Sequence, residues 1–221
     1  MSGGRTPKKM LIVFEGIDGT GKGVQLKRTI EYLKNMLGED KVVQSKDPGG
    51  TKLGTAIRRV MYEEVPTIEM TPGVVDLLFL ASHLQNWQTV VWPALVAGKV
   101  VVSDRWWYSQ AAYMTQRYVP TPIADAYMQC HGTSADLLLF LHGDTVTMVN
   151  RARNRETETH QSSKAWNDHD MLRKIQDQYT EQFSDSPEWW PICVDDKDPD
   201  QVWHDVKHAI DEKMQLGQEH A

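Results

Sequence analysis

Short apolar runs alternate with longer amphipathic segments along the chain. The runs predict buried strands, and apolar residues at every third or fourth position predict helices. The predicted strands are Met10–Phe14, Lys41–Ser45, Lys99–Ser103, Leu137–Leu141 and Ile192–Val194. The predicted helices are Gly21–Leu37, Leu53–Glu63, Val74–Gln88, Val90–Ala97, Trp107–Arg117, Ile123–His131, Thr145–Arg155, Asp168–Phe183 and Pro199–Leu216. This alternation predicts an α/β fold with a parallel five-stranded sheet and helices on both faces.

The chain of 221 residues has the length of one large domain. We find no domain linker or internal repeat and expect a single domain over residues 1–221, with a flexible polar tail at 1–9. A long polar stretch follows the helix that ends near Arg155 and has no apolar periodicity. Together with the basic end of that helix it predicts a mobile lid at about 151–167.

Charge and composition exclude several classes of protein. A net charge of −6 argues against a surface that binds a nucleic-acid polymer, although a basic pocket for a mononucleotide remains compatible with it. No run approaches the ~20 apolar residues of a membrane span, so we expect no membrane partner. Two cysteines are too few for a disulfide framework, which predicts a cytoplasmic protein.

The strongest motif is a phosphate-binding loop directly after the first strand. Gly16 is followed by four residues, then Gly21 and Lys22, and a helix begins there. Backbone N–H groups, the positive end of the helix dipole and the lysine charge would together hold a nucleoside triphosphate. The residues predicted to contact ATP are Gly16, Ile17, Asp18, Gly19, Thr20, Gly21, Lys22, Gly23 and Val24.

Two further sets of residues carry candidate chemistry. Asp104 and Arg105 follow the third strand, at the sheet edge where the phosphate loop lies, so the carboxylate could hold Mg²⁺ and the arginine could grip a phosphate. Arginines at the start of the polar stretch could neutralise charge that develops during phosphoryl transfer. These arginines are Arg151, Arg153 and Arg155.

The order of motifs resembles the thymidylate kinase family. Phe14–Lys22 is similar to that family's phosphate loop, and Asp47-Pro48-Gly49-Gly50-Thr51 to its Glu-Pro-Gly-Gly-Thr segment. Leu77-Leu78-Phe79 with Ala81 resembles the family's base-stacking helix. Asp104-Arg105-Trp106 resembles its Asp-Arg-Tyr motif, and Arg151–Arg155 resembles the start of its lid. The resemblance covers most of the chain.

The resemblance implies a three-layer P-loop NTPase fold and transfer of the ATP γ-phosphoryl group to a deoxynucleoside 5′-monophosphate, with Mg²⁺ and in a homodimer. Asp18 would meet the 3′-hydroxyl, Arg105 and Arg58 would hold the acceptor phosphate, Phe79 would stack on the base and Tyr113 would crowd the 2′ position. The implied monophosphate-binding residues are Asp18, Asp47, Pro48, Arg58, Phe79, His83, Arg105, Ser109, Gln110 and Tyr113. The implied catalytic residues are Lys22, Arg105, Arg151, Arg153 and Arg155. One branch of the family has a catalytic arginine in the phosphate loop, at the position of Gly19 here, so the catalytic arginine of this chain is expected to come from the lid.

The sequence departs from the family pattern around the phosphates and in the lid. Gly23 replaces the Ser or Thr whose hydroxyl contacts Mg²⁺, which leaves Asp104 and waters as the expected ligands. Ser162-Ser163-Lys164 lies near where the family has an Asp-Arg pair, and Lys46 replaces an arginine. An alternative is therefore a P-loop protein that binds nucleotide but transfers no phosphoryl group.

His83 occupies the position of an arginine that the family uses against the thymine edge. It lies one helical turn after Phe79, so both side chains can address the same base. Because a neutral imidazole has one donor and one acceptor, base selectivity could have shifted towards a cytosine-type or 5-substituted pyrimidine, or broadened. Alternatively His83 only packs, and Gln85, Asn86 or Gln110 reads the base.

Overall fold

The computed structural model describes residues 9–62, 70–114, 129, 133–159 and 169–219. Its strands are β1 Met10–Glu15, β2 Val42–Lys46, β3 Val100–Asp104, β4 Leu137–His142 and β5 Trp189–Cys193. Its helices are α1 Lys22–Leu37, α2 Lys52–Tyr62, α3 Pro72–Asn86, α4 Trp92–Val96, α5 Trp107–Met114, α6 Thr145–Thr159, α7 His169–Phe183 and α8 Pro199–Glu219.

The five strands form one parallel sheet in the order β2-β3-β1-β4-β5. All six residues of β1 are buried, as expected for a central strand that is covered on both faces. Phe14 and Lys46 both lie beside Asp104 in the strand register, so β1, β2 and β3 end at the same edge. The predicted α/β fold and its parallel sheet are confirmed.

The helices form two groups around the sheet. The chain leaves β1 through α1 towards β2, and later moves back across the sheet to β3, β4 and β5. Since crossovers between parallel strands are right-handed, these two directions of travel place their helices on opposite faces. In agreement with this, α5 packs against both α3 and α7, while α8, which follows the last strand, packs against α1.

Some element boundaries differ from the sequence-based expectation. β5 begins at Trp189 rather than Ile192, because Trp189 and Trp190 pair with Leu138 and Leu139. α6 continues to Thr159, although 156–159 was expected to be irregular, since no glycine or proline interrupts the helix there. The segment Val90–Ala97 is not a separate helix, because a turn of π-helix at Trp87–Val91 joins α3 to α4.

Parts of the predicted organisation lie outside the described residues. These are the tail at 1–8, the end of the predicted helix at 115–117, the predicted helix at 123–131 apart from Gln129, and the lid positions 160–167. The described part of the chain contains no helix that is both long and apolar enough to cross a membrane.

Candidate active site

The phosphate loop lies between β1 and α1, and Lys22 folds back into it. The Lys22 ammonium donates hydrogen bonds to the carbonyl oxygens of Gly16 and Ile17, both at 2.7 Å. Burial, and secondarily the nearby charge of Arg105, lower the pKa of Lys22 to about 8. The loop is thus a compact cradle with a cation enclosed in it.

Gly19 is the point where the phosphate loop meets α6. Its φ is +90°, and a Cβ atom there would lie 2.0 Å from the carbonyl oxygen of Met148. A side chain would therefore require both a strained backbone and a shift of α6. The same helix carries Arg151 and Arg153, both exposed, and Arg155, so Gly19 controls how closely the helix with the predicted catalytic arginines approaches the phosphate loop.

Arg105 connects several predicted site residues. Its backbone adopts a left-handed conformation with a φ of 70°, and its N–H donates a hydrogen bond to the Phe14 carbonyl oxygen at 3.0 Å. The guanidinium donates to Asp18 Oδ1 and to Ser109 Oγ, each at 3.0 Å, and lies over the ring of Tyr113 at 5.8 Å. The structure therefore brings Asp18, Arg105, Ser109 and Tyr113 together beside the phosphate loop.

Asp104 lies on the same sheet edge and faces Lys46. Lys46 Nζ is 3.3 Å from Asp104 Oδ2, and the Asp104 side chain is partly exposed. Gly23 is exposed and brings no side chain to this edge. Among the described residues no group of three or more His, Cys, Asp or Glu side chains could hold a metal. A Mg²⁺ ion beside Asp104 would take further oxygen ligands from nucleotide and water, which is how Mg²⁺ is commonly bound.

His83 is fully buried and hydrogen-bonds Asp47 through Nδ1. Ser82 Oγ donates to the other carboxylate oxygen at 3.4 Å, and the imidazole lies edge-on to Trp106 at 4.4 Å between ring centres. The pair fixes the turn that contains Asp47 and the buried Pro48 against α3. Base recognition by His83 stays a prediction.

Three further predicted residues contact other parts of the protein. Gln110 is buried and hydrogen-bonds Asp76 of α3 through its side-chain amide. Arg58 lies over the ring of Tyr62 at 5.2 Å, and Phe79 is half-buried against the core. Their roles towards a monophosphate stay predictions.

Sequence reasoning missed Glu15 and Tyr179 as site residues. Glu15 is the last residue of β1, fully buried, and Tyr179 Oη donates to its Oε2 at 2.8 Å. A carboxylate at the end of an apolar strand could have drawn attention to Glu15. No local pattern indicates Tyr179, because only the packed fold brings α7 to β1.

A more open groove lies at the start of α6. A cavity of about 330 Å³ there is lined by Asp144, Thr147, Arg151, Asp195, Asp196 and Lys197. The two Asp195 carboxylate oxygens accept the Asp144 N–H at 2.8 and 3.0 Å, and Gln176 exchanges two hydrogen bonds with the backbone of Gly143. The loop after β5 and helix α7 therefore fix where α6 begins.

The fold and the site define a class of protein. A parallel sheet whose central strand leads into a lysine-bearing loop and a helix, with an arginine beside the loop, is a phosphate-loop nucleotide-binding protein. The family model described as thymidylate kinase matches residues 14–206. The chain belongs to the thymidylate kinase family.

Individual relatives are similar over shorter stretches. A thymidylate kinase of Anaplasma marginale is 42% identical over 105 residues, which are 47% of this chain and 49% of the relative. One of Desulforudis audaxviator is 43% identical over 104 residues, 47% of this chain and 46% of the relative. The chain thus aligns with about half the length of these curated relatives. The crystal structure of a thymidylate kinase from Ehrlichia chaffeensis superposes with a TM-score of 0.72 at 22% identity, over 93% of this chain and 100% of that one, which shows a common fold.

Proposed function

We propose that the protein is a deoxynucleoside monophosphate kinase that transfers the γ-phosphoryl group of ATP to dTMP or a related pyrimidine deoxynucleotide. An oxygen of the acceptor phosphate attacks the γ-phosphorus, and the bond to the bridging oxygen of ADP breaks. The observation that carries this proposal is the position of Arg105, whose guanidinium is held by Asp18 and Ser109 beside the lysine-bearing loop.

Each group has a proposed role in this transfer. Lys22 and the phosphate-loop amides hold the ATP phosphates, while Arg105 and Arg58 hold the acceptor phosphate. Phe79 stacks on the base and Asp18 meets the 3′-hydroxyl. Arginines of α6 and of the lid at about 151–167 neutralise charge on the transferred group, the role proposed for Arg151, Arg153 and Arg155.

Mg²⁺ is part of the proposal, with Asp104 as the protein ligand, directly or through water. The ion would supply charge neutralisation on the ATP phosphates. Retention of Lys22, Asp104 and Arg105 favours phosphoryl transfer over nucleotide binding alone, because a protein that only binds nucleotide does not need charged groups placed for the transition state.

We also propose that the protein acts as a homodimer in the cytoplasm. Large apolar side chains are exposed on the neighbouring helices α2 and α3, and a second copy of the chain would cover them. They are Leu53, Val60, Val74 and Leu77. Sedimentation analysis should give a dimer, and Leu77→Glu should shift it to a monomer; a wild-type monomer would refute this part of the proposal.

Turnover with a panel of acceptors tests the activity. ADP release from ATP and Mg²⁺ is measured with dTMP, dUMP, dCMP, 5-substituted pyrimidine monophosphates, dGMP, dAMP and their ribose forms. We expect rapid turnover of dTMP or a closely related pyrimidine. If the protein binds ATP and no acceptor turns over, the binding alternative suggested by Gly23 is correct.

The same panel tests the proposed role of His83 in base selection. His83→Arg should raise the ratio of kcat/KM for dTMP to that for dCMP. His83→Gln, a smaller change at a buried position, guards against a folding defect. Identical substrate rankings for wild type and both folded variants would show that His83 only packs and that another residue reads the base.

A further inference from the structure

A buried network connects Glu15 to the first turn of α5. Glu15 Oε1 accepts the backbone N–H groups of Trp106 at 2.8 Å and Ser109 at 3.1 Å, and Oε2 accepts the Ser109 hydroxyl at 2.5 Å. One carboxylate thus accepts two N–H groups at the N-terminus of this helix, and the Ser109 N–H is shared with the Trp106 carbonyl oxygen at 3.1 Å. Burial raises the pKa of Glu15 above its ordinary value, and Arg105 and the hydrogen-bond donors only partly oppose this shift.

Tyr179 adds α7 to this network. Its hydroxyl donates to Glu15 Oε2 at 2.8 Å and lies 2.9 Å from Ser109 Oγ, and the whole side chain is inaccessible to solvent. Its ring packs on Phe140 and Phe183, at 5.0 and 6.4 Å between ring centres. The hydroxyl is therefore held in place by the core.

Arg105 depends on the same groups for its orientation. Ser109 Oγ accepts a hydrogen bond from Arg105 Nη1, and Glu15 Oε2 lies 3.8 Å from that nitrogen. The left-handed backbone of Arg105 is unfavourable for a residue with a side chain, so the surrounding contacts must maintain it. These contacts are the hydrogen bond from the Arg105 N–H to the Phe14 carbonyl oxygen and the hydrogen bonds from the guanidinium to Asp18 and Ser109. The fixed start of α5, which follows Arg105 directly, adds a further constraint.

We propose that Glu15, Ser109 and Tyr179 form a buried anchor that orients Arg105, which makes Tyr179 of α7 a positioning residue for the acceptor phosphate. The inference deepens the proposed function and rests on it for the role of Arg105. It assigns α7 to the acceptor site, although no residue of that helix need touch the substrate.

Removal of single hydroxyl groups tests the anchor. Tyr179→Phe keeps the packed ring and removes only the hydroxyl that donates to Glu15 and lies beside Ser109. Tyr108→Phe is the matched control: Tyr108 is equally buried, and its hydroxyl bonds Glu188 and the N–H of Ala135 instead. Binding of dTMP, and of dCMP in parallel, is measured by calorimetry without ATP, and ATP binding and the Tm are measured for each protein.

We expect Tyr179→Phe to raise the Kd for the monophosphate about 5- to 10-fold, the equivalent of one hydrogen bond in a buried network. The Kd of Tyr179→Phe for ATP should change less than about twofold. Tyr108→Phe should lower the Tm about as much as Tyr179→Phe does, but it should leave the Kd for the monophosphate and the Kd for ATP unchanged. Equal effects of the two variants on monophosphate binding, or no effect of Tyr179→Phe, would overturn the anchor.

Glu15→Gln provides a second variant, because it retains an acceptor for the two N–H groups while it removes the charge near Arg105. Its monophosphate Kd should rise at least as much as that of Tyr179→Phe, and an unchanged Kd would contradict the proposal. These binding measurements do not depend on turnover. A wild type that binds dTMP but transfers no phosphoryl group would refute the proposed activity, and the comparison of the variants with wild type would still test the anchor. A wild type that binds neither monophosphate would overturn both.

Discussion

The two sides of the phosphate loop are built differently. One side carries the proposed acceptor residues Glu15, Asp18, Arg105, Ser109 and Tyr179, and we call it the acceptor side. It is buried at its base and more open at Asp18: Glu15 and Tyr179 are 0% exposed, the Arg105 side chain 18% and the Asp18 side chain 39%. The other side is the groove at the start of α6, which we propose borders the ATP site and call the donor side. It is open and its polar groups are largely exposed.

The difference suggests a division of labour in the proposed reaction. On the acceptor side the hydrogen bonds exist before substrate arrives, so binding needs little reorganisation of the protein. On the donor side, hydrogen bonds with Asp195 and Gln176 hold the segment before α6, Met148 of α6 lies against Gly19, and the polar groups of the groove are largely exposed. We therefore expect substitutions on the acceptor side to affect catalysis more than those on the donor side.

The largest effect should come from Arg105→Lys. Lysine keeps the charge but cannot donate to Asp18, Ser109 and a phosphate in one planar fork. We expect kcat/KM for the monophosphate to fall about 10²- to 10³-fold, with a much smaller change in KM for ATP. The control is Arg28→Lys, at a partly exposed arginine that pairs with Asp200 at 2.7 Å. If Arg105→Lys retains more than a third of wild-type kcat/KM, the acceptor side is not preorganised around this guanidinium.

Sequence reasoning reached the parts of the acceptor side that local patterns encode. An apolar strand followed by spaced glycines predicted the phosphate loop, and residues at the ends of parallel strands predicted the approach of Asp18 and Arg105. Tyr179 could not be predicted, because its partner Glu15 lies 164 positions earlier and meets it only through packing of α7 on the sheet. Helical spacing placed His83 beside Phe79 but could not show its bond to Asp47, which belongs to a different element.

The contact between the loop and α6 should produce the next largest effect. Gly19→Ala and Gly21→Ala both place a side chain at positive φ, +90° and +83°, but a Cβ at Gly21 meets nothing within 4 Å. Both should lose about 1 kcal/mol of unfolding free energy from the backbone, and Gly19→Ala about 1–3 kcal/mol more from the clash with Met148. Urea unfolding without nucleotide measures the difference. Equal losses would show that α6 does not rest on the loop.

The buried charge of Lys22 should make stability depend on pH. Its pKa of about 8 lies below that of an unfolded lysine, so between pH 8 and 10 the unfolded chain binds more protons than the folded one. Lys22 therefore destabilises the ligand-free fold fully below pH 8, and this penalty disappears as the pH rises.

The unfolding free energy of wild type relative to Lys22→Met should accordingly increase by about 1–2 kcal/mol from pH 8 to pH 10. Lys27→Met, at an exposed lysine of the same helix, supplies the reference curve. A constant difference between wild type and Lys22→Met across this range would show that the folded protein does not disfavour the charge, in which case the loop is more hydrated than the structure indicates.

The smallest effect should come from Asp144→Ala on the donor side. Asp144 Oδ2 accepts the Thr147 hydroxyl at 2.7 Å and the Thr147 N–H at 2.8 Å and so caps α6, and these two bonds lower the pKa of Asp144. We expect a Tm about 1–3 °C lower at pH 7. Since the charged form makes the cap, the Tm difference should be complete above pH 4 and shrink as the pH falls through the lowered pKa.

Asp198→Ala separates helix capping from the position of α6. Asp198 caps α8 with an equally exposed carboxylate, which accepts the N–H groups of Asp200 and Gln201 at 2.8 and 2.9 Å. Both variants should lose similar stability, but only Asp144→Ala should raise KM for ATP, about two- to fivefold, because residues of α6 line the groove and residues of α8 do not. KM for the monophosphate should stay constant in both. An increase of that KM in Asp144→Ala would mean that the two sides are coupled through α6, and the contrast between a preorganised acceptor side and an independent donor side would fail.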